Sequence, residues 1–320
     1  TGAAAVWRFR VPRDTTVTVD DFVRGQTVYA TDAIGDFILR RSNGDFSFIF
    51  TNALDDALLG VNRVLRGEDH TTNTPRQLLL LQALSLPVPQ YGHIALMVAA
   101  GGKPLSKRDG LTPVRDWRAR GYLPLALLNY LARVGHSYRH HNADALMTLQ
   151  ELSSHFSTAA LGRAPAQYDA AQLLHWQKDA VMALSMQEYQ QWLGNARLQG
   201  IANQEMFCQL TQENVVLPDD SEPWLRMLRE EALSTYSETA RAAMQAAGNE
   251  FYTIAAAAAT AAHWQDFCST IKEKSGKKGK ALFLPLRAAL TGATDGPAMP
   301  LVYEILTPQQ RRTRLLQGVN

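Results

Sequence analysis

Cysteine is scarce in this sequence. Cys208 and Cys268 are the only two among 320 residues, and neither has Cys or His neighbours at metal-ligand spacing. This scarcity excludes a disulfide-stapled secreted scaffold and argues against a zinc site. Long apolar runs are also missing, because the richest one, AAAAATAA at residues 255–262, is far shorter than the roughly 20 residues that span a bilayer. We therefore expect a cytoplasmic protein with no membrane segment and no metal site.

A strong net charge is absent as well. The 32 basic and 30 acidic residues leave a net charge of +2, so a nucleic-acid partner would have to be bound by a local basic surface. The apolar share of 46% and the charged share of 19% exclude an intrinsically disordered chain. The length favours about two domains.

The first third of the chain has an α/β pattern. The runs VWRFRV and FSFIF are typical of strands, and FILRRSNGDFSFIF predicts a hairpin with its turn at Asn43-Gly44. The segment TPRQLLLLQAL, residues 74–84, predicts a helix that starts with a Pro in its first turn, and YGHIALMVAA predicts a buried strand. The charged loop after that strand lies where open α/β sheets bind ligands.

The rest of the chain, from Val114 onward, has a helical pattern. GYLPLALLNYLARVG predicts a helix that ends at Gly135, and residues 222–247 and 251–268 carry the longest helix-favouring windows, separated by Gly248-Asn249. No internal repeat is present. The histidines His136, His140 and His141 lack a convincing ligand spacing.

Three charged segments are candidate functional sites. In RGEDH, residues 66–70, Arg66 could bind a carboxylate in two-pronged geometry. In GGKPLSKRDG, residues 101–110, Lys107 could neutralise charge that develops on departing pyrophosphate. Residues 270–320 carry nine cations against three acids, which would suit a phosphate backbone. Each segment also has a simpler interpretation: the first as a solvated charged turn, the second as a basic surface loop and the third as a solvated Lys-rich turn.

Four motifs in order resemble bacterial-type glutamyl-tRNA synthetases, a family of class I aminoacyl-tRNA synthetases: VLRGEDHTTNTPRQ, GGKPLSKRDG, WRARGYLPLALLNYLARVG and GKKGKALFLPLRAALTGATDGP. The likeness runs from about Trp7 to the C-terminus. It implies an α/β plus all-α fold, namely the second half of a class I synthetase Rossmann-like domain followed by helical stem-contact and anticodon-binding domains. It also implies a glutamate-tRNA ligase, in which glutamate attacks the α-phosphate of ATP, accompanied by Mg²⁺, and the glutamyl group passes to tRNA(Glu).

The resemblance assigns roles position by position. It assigns catalysis to three residues of the signature loop, Ser106, Lys107 and Arg108. It assigns ATP binding to a backbone pair and two lysines, Leu96, Met97, Lys103 and Lys107. It assigns glutamate binding to Arg66, Asn52 and Phe48, where Phe48 stands in place of the Tyr that the family commonly has. We expect four cations near the C-terminus to bind tRNA, Lys277, Lys278, Lys280 and Arg287.

The sequence departs from the family pattern at its start. No His-x-Gly-His signature occurs in the 320 residues, the chain begins at Thr1 without a Met, and Pro104 replaces the first Lys of the loop. We therefore expect that a further N-terminal segment or a partner supplies the first ATP-binding signature, and that the isolated chain is inactive. A catalytically silent tRNA-binding paralogue is the alternative, and a ligase that glutamylates another acceptor is a third interpretation.

The expected domains follow from these motifs. Residues 1–50 would be a remnant of the connecting and acceptor-stem region, and 51–112 the C-terminal half of the Rossmann-like domain. Residues 113–180 would be a helical stem-contact segment, and 181–320 a helical anticodon-binding domain.

Overall fold

The computed structural model describes residues 5–99, 101–103, 113–138 and 145–318. The chain divides into two compact units. Unit 1 comprises Thr1–Leu111 and Leu128–Ala170, and unit 2 comprises Thr112–Leu127 and Ala171–Asn320. None of the helices in the described ranges is long and apolar enough to cross a membrane.

Unit 1 is built on short strands. They are β1 (Trp7–Phe9), β2 (Thr16–Asp21), β3 (Gly25–Ala30), β4 (Phe37–Arg40), β5 (Arg63–Gly67), β6 (Gln90–Ile94), β7 (Met97–Val98) and β8 (Ala166–Gln167). The largest sheet has the order β3-β2-β6-β5, in which β2 and β3 are antiparallel and β6 runs parallel to both β2 and β5. The strands β1 and β4 form an antiparallel pair, and β7 and β8 a parallel pair.

Strand β2 places a carboxylate in the core. Its sequence TVTVDD alternates exposed and buried side chains, so Val17, Val19 and Asp21 share the inner face. Two valines are ordinary core residues, whereas a buried carboxylate needs hydrogen-bond partners. Strand β6 lies beside it because Gly92 has no side chain: a Cβ there would lie 2.4 Å from the ring of Phe22.

Unit 1 also contains helices. They are α1 (Thr31–Ile34), α2 (Phe48–Leu58), α3 (Thr74–Ala83), most of α5 (Pro124–Gly135) and α6 (Leu149–Ser154). Helix α3 confirms the predicted start, with Pro75 in its first turn, and buries Leu78 to Leu81. Its Leu80 and Leu81 pack on Ala53 and Ala57 of α2.

Two predicted strands are wrong in detail. The turn at Asn43-Gly44 is present, closed by a bridge from Arg40 to Phe46, but the run FSFIF does not continue as a strand because α2 begins at Phe48. The run YGHIALMVAA is two strands rather than one, since β6 ends at Ile94 and β7 starts at Met97.

Unit 2 is helical throughout its described part. Its helices are α4 (Val114–Ala119), α7 (Ala170–Met182), α8 (Met186–Leu193), α9 (Asn195–Leu198), α10 (Gln204–Thr211), α11 (Glu222–Arg229), α12 (Glu238–Ala247), α13 (Asn249–Ala258), α14 (Trp264–Ser275), α15 (Lys280–Thr291), α16 (Met299–Ile305) and α17 (Pro308–Gln317). The predicted break at Gly248 is confirmed, but the windows 222–247 and 251–268 are each interrupted, at residues 230–237 and 259–263. The main core centres on Phe267, Ile271 and Tyr303.

Candidate active site

Arg66 lies near the carboxyl end of β5 and is held by side chains from three different elements, α2, α3 and β6. Its Nη2 donates to Thr74 Oγ1 and to Gln77 Oε1, both at 2.7 Å. Its Nη1 donates to Asn52 Oδ1 at 3.4 Å, and its Nε donates to His93 Nε2 at 3.2 Å. The guanidinium also lies over the ring of Tyr91, 5.0 Å from the centroid. A cation fixed by so many contacts is preorganised to receive an anion.

Behind Arg66 lies a buried carboxylate and imidazole pair. His93 Nδ1 is 2.6 Å from Asp21 Oδ2, and both side chains are almost completely buried. Asp21 Oδ1 accepts three backbone N–H bonds, from Val23 at 2.8 Å, from Arg24 at 2.9 Å and from His93 at 3.2 Å. The inward position of Asp21 in β2 is thereby satisfied, and the three side chains form a continuous chain, Asp21 to His93 to Arg66.

Burial and hydrogen bonding shift the ionisation of this chain. Burial lowers the pKa of His93 and outweighs its hydrogen bond to Asp21, which acts in the opposite direction. Burial would raise the pKa of Asp21, but hydrogen bonds from the Arg24 backbone and the His93 side chain together hold that pKa below its ordinary value. Burial also lowers the pKa of Arg66. His93 is therefore neutral at neutral pH, and Asp21 is ionised.

These shifts predict a loss of stability in acid. A His whose pKa is lower in the folded state than in the unfolded state binds more protons when the chain unfolds. The contribution of His93 to the free energy of unfolding is therefore complete above pH 6.5, the ordinary His pKa, and is lost as the pH falls below that value. Asp21 adds a second loss as the pH falls below 3.8. The charges facing His93 are Asp21, Arg24 and Arg66. We expect the free energy of unfolding, from urea titrations, to fall between pH 7.5 and 5.

The control for this pH dependence is His93→Gln, which cannot titrate. Burial lowers the pKa of His136 as well, so part of the pH dependence should remain in the variant. An unchanged pH dependence in His93→Gln would contradict the role given to His93.

The residues expected to bind glutamate come together. Asn52 and Phe48 are one turn apart on α2 and share a face of that helix. The amide oxygen of Asn52 accepts from Gln77 Nε2 at 2.8 Å in addition to its bond with Arg66. Phe48 is 51% exposed and tilts against the ring of His70, 5.3 Å between centroids. The three predicted positions thus line one edge of the Arg66 site.

The backbone pair expected to hold adenine is anchored by the RGEDH motif. The N–H of Leu96 donates to Glu68 Oε1 at 3.2 Å, and the other oxygen of Glu68 is bound by Arg24. Arg24 Nε also donates to the carbonyl of His93 at 3.1 Å. Glu68 therefore has a defined structural partner, and the Leu96 N–H is engaged by this chain itself.

Met97 lines an apolar cavity of about 370 Å³ at the carboxyl ends of β5 and β6. The side chains of Leu65, Ile94 and Ala95 contribute to the same wall. Lys103 is exposed, and its carbonyl accepts from the N–H of Ala99 at 2.8 Å. The remaining loop positions, Pro104, Ser106, Lys107 and Arg108, lie outside the described residues.

The four cations expected to bind tRNA differ in their surroundings. Lys277 donates to the carbonyl of Ala247 at 2.6 Å and lies over the ring of Phe251. Arg287 donates to the carbonyl of Pro297 at 2.8 Å, and burial lowers its pKa. Lys278 and Lys280 are exposed. Two of the four cations thus point to solvent, and two are packed against their own unit.

Sequence reasoning did not identify Asp21, His93, Thr74 or Gln77 as parts of the site. The available signals were an acidic residue at an inward position of β2 and a histidine inside an apolar strand. Within the described ranges, no group of three or more His, Cys, Asp or Glu residues could hold a metal ion. Burial raises the pKa of Cys208 to about 11 and that of Cys268 to about 12, so both thiols stay protonated at neutral pH.

Comparison with known protein families matches both parts of the chain. Residues 1–175 match the catalytic domain of class I tRNA synthetases (E and Q), and residues 205–319 match an anticodon binding domain. The chain is 44% identical over 323 residues to glutamate-tRNA ligase 2 of Nitrosococcus oceani, and the match covers 100% of this chain and 68% of the relative. It is 44% identical over 320 residues to glutamate-tRNA ligase 1 of Methylococcus capsulatus, covering 99% and 68%.

Two crystal structures share the fold. The glutamate-tRNA synthetase of Elizabethkingia anophelis superposes with a TM-score of 0.84 at 20% identity, over 98% of this chain and 67% of that chain. A glutamate tRNA ligase from Elizabethkingia meningosepticum, in complex with its amino acid, gives 0.81 at 21% identity with the same coverage. These neighbours confirm the predicted fold class.

Proposed function

Because this chain belongs to the glutamate-tRNA ligase family of class I aminoacyl-tRNA synthetases, we propose that unit 1 binds the carboxylate of glutamate at Arg66. The observation that carries this proposal is the position of Arg66 at the carboxyl end of a parallel strand, fixed by Asn52, Thr74, Gln77 and His93. Open α/β sheets bind ligands at such strand ends.

The guanidinium retains capacity for a ligand on one side. Both N–H bonds of Nη2 and the one of Nε are engaged, whereas Nη1 has two N–H groups and a single long bond to Asn52. No other acceptor in the described ranges is bonded to Nη1. A carboxylate placed beside Nη1 would receive a charge-assisted hydrogen bond and lie close to Asn52 and Phe48.

ATP, accompanied by Mg²⁺, is the proposed second substrate. Its adenine would lie against Leu96 and Met97, and the apolar cavity that Met97 lines suits a planar base. Lys103 and the loop residues Ser106, Lys107 and Arg108 would contact the phosphates. Attack of the glutamate carboxylate on the α-phosphate needs alignment and stabilisation of phosphate charge more than proton transfer, so arginine, lysine and backbone donors are sufficient for it.

Two measurements test this function: pyrophosphate exchange tests activation by this chain, and glutamate titration separates a ligase from a silent tRNA-binding paralogue. The 320 residues contain no His-x-Gly-His signature, so we expect this chain alone to give no glutamate-dependent exchange of pyrophosphate into ATP. The Nitrosococcus oceani relative serves as the positive control. Exchange above the blank without glutamate would contradict this expectation. Titration with glutamate then distinguishes the two functions, because a silent paralogue without the Arg66 site would bind tRNA but not the amino acid.

We propose that tRNA(Glu) is bound in part by Lys278 and Lys280. Replacing both with alanine should weaken binding several-fold and reduce the slope of log K against log salt concentration by roughly 1.4 to 1.8, since each lost phosphate contact accounts for about 0.7 to 0.9. Fluorescence anisotropy with labelled tRNA(Glu) at several salt concentrations measures both quantities.

The matched control removes two other exposed cations of unit 2, Lys178 and Arg241. It changes the net charge equally but leaves the Lys-rich turn intact. Equal salt slopes for the two double variants would mean that Lys278 and Lys280 act only through net charge.

We also propose domain boundaries at residues 50, 112 and 180, and a cytoplasmic location for the protein. Two buried free thiols support a reducing compartment.

A further inference from the structure

Asp21 and His93 lie directly behind Arg66 but out of reach of a substrate. They are 5% and 0% exposed, so neither can contact a ligand in the cleft. A buried carboxylate and imidazole contribute little to stability that apolar residues could not supply equally well. Their arrangement is therefore better explained by what they do to a third residue. Two side chains contact His93 Nε2, those of Thr74 and Arg66, and of these Arg66 carries the positive charge that the proposed substrate site requires.

The hydrogen bonds determine which nitrogen of His93 carries the proton. Asp21 is ionised and can only accept, so the Nδ1 that faces it at 2.6 Å must be the protonated one. The neutral ring then has a lone pair on Nε2, which accepts the Nε–H of Arg66 at 3.2 Å and is also 3.0 Å from the hydroxyl of Thr74. The opposite tautomer would present an N–H to a cation and could not form that bond.

We propose that Asp21 and His93 are positioning residues for Arg66: Asp21 fixes the tautomer of His93, and His93 holds Arg66 Nε so that Nη1 is presented to the substrate carboxylate. The proposal rests on the proposed role of Arg66 in binding glutamate. Thr74 and Gln77 hold the guanidinium at Nη2, and only the long bond of 3.4 Å to Asn52 opposes a pivot about that end. The bond at Nε removes this pivot, and a displacement of about 1 Å at Nη1 is enough to weaken a binding or catalytic contact substantially.

Two substitutions of His93 separate positioning from packing. In His93→Gln the amide oxygen replaces Nε2 and can still accept from Arg66, whereas in His93→Asn the shorter amide reaches Asp21 but not Arg66. We expect glutamate to bind His93→Gln within about threefold of wild type and His93→Asn about tenfold more weakly, the effect of losing one hydrogen bond to a charged group. Isothermal titration with L-glutamate measures this difference on the whole chain.

The rate at which the Arg66 Nε–H exchanges with water provides a second measurement. In protein labelled with ¹⁵N-arginine, the Nε–H of Arg66, assigned by its disappearance in Arg66→Lys, should exchange slowly with water in wild type and in His93→Gln. It should exchange rapidly in His93→Asn. A merely structural role for His93 would change the melting temperature of both variants but would not separate them in this exchange rate.

The Asp21→Asn variant provides an independent test if the His93 variants do not fold. Its amide would donate to His93 Nδ1, so the proton of His93 must move to Nε2, as ¹⁵N-histidine shifts would show. We expect loss of the slow Arg66 Nε–H exchange together with about tenfold weaker glutamate binding.

The possible results distinguish failure of the positioning role from failure of the proposed function. Equal behaviour of the Gln and Asn variants, or an unchanged Arg66 signal in a folded Asp21→Asn protein, would overturn the positioning role. If wild type does not bind glutamate, or if Arg66→Ala binds it normally, the proposed function fails instead, and the Arg66 exchange rates still decide the positioning role.

Discussion

Replacing Arg314 with methionine is expected to lower the free energy of unfolding of unit 2 by about 3 to 5 kcal/mol. Arg314 is completely buried in α17. Its guanidinium donates to the carbonyls of Leu290 at 2.7 Å, Glu230 at 2.6 Å and Glu231 at 3.3 Å, and also to that of Met227. Methionine fills similar space but leaves the carbonyls of Met227, Leu290 and Glu231 without this donor, whereas the Glu230 carbonyl keeps its bond from Gln310 at 3.1 Å. Each buried unsatisfied group costs about 1 to 3 kcal/mol.

The acceptors lie at the ends of two helices. Met227 and Glu230 are at the C-terminus of α11, and Leu290 is in the last turn of α15, where carbonyls lack partners within the helix. The partial negative charge at these ends favours a cation. Burial lowers the pKa of Arg314 only to about 10, so it remains protonated at neutral pH. A single arginine thus caps two helices and ties both to α17.

Urea unfolding followed by circular dichroism measures the effect, with Arg312→Met as the matched control. Arg312 is exposed on the same helix, so its substitution should change the free energy of unfolding by less than about 0.5 kcal/mol. Arg314→Lys should lie between the two, since an ammonium keeps the charge but cannot match the fork of a guanidinium. Loss of less than about 1 kcal/mol in Arg314→Met would show that water satisfies the carbonyls.

Two of the cations counted near the C-terminus are buried, which a count of charges in the sequence does not reveal. Among the nine cations of residues 270–320, Arg311 and Arg314 face the core: Arg311 donates to the carbonyl of Tyr303 at 2.7 Å and stacks on its ring. They are not available to a phosphate backbone. The spacing did contain a signal, because residues 311, 314 and 315 share one face of a helix and Leu315 is a core residue.

The fold was predictable where local preference and burial agree. The start of α3 at a Thr-Pro pair and the helix from Pro124 to Gly135 follow directly from their sequences. The run FSFIF is different, because aromatic and β-branched residues favour strands locally, yet α2 begins at Phe48 and packs on α3. The conformation of that segment is determined by packing between elements that are distant in the sequence, and local residue preferences do not indicate this packing.

The sequence pointed only to the positions that are proposed to contact the substrate. Arg66 and Asn52 were identified from motifs, and the structure joins them through a hydrogen bond. Asp21 and His93 are far apart in the chain and meet because β2 and β6 are neighbours in the sheet. That pairing depends on the topology of the sheet, so a motif search could not associate the two residues.

Arg66→Ala should weaken glutamate binding by about ten- to a hundredfold, at least as much as the His93 and Asp21 substitutions. A charge-assisted hydrogen bond to a carboxylate contributes roughly 1.5 to 3 kcal/mol, which is about ten- to a hundredfold in affinity. Arg66→Lys should recover little of it, because the ammonium keeps the charge but lacks the planar set of donors that bonds Thr74, Gln77 and His93 at once. Isothermal titration with L-glutamate gives the affinity.

The control is Arg63→Ala, which removes an exposed cation from the same strand. Arg63 points to the opposite face of β5 and bonds Gln90, so its loss changes the net charge equally without touching the site. We expect its glutamate affinity to stay within about twofold of wild type, since surface charges distant from a site have small effects. Two results would remove Arg66 from the glutamate site: equal weakening in the Arg63 and Arg66 variants, or a folded Arg66→Ala protein that binds glutamate within threefold of wild type. A donor that contacts the carboxylate directly cannot be replaced by the general positive potential of the strand, so either result would exclude a direct contact.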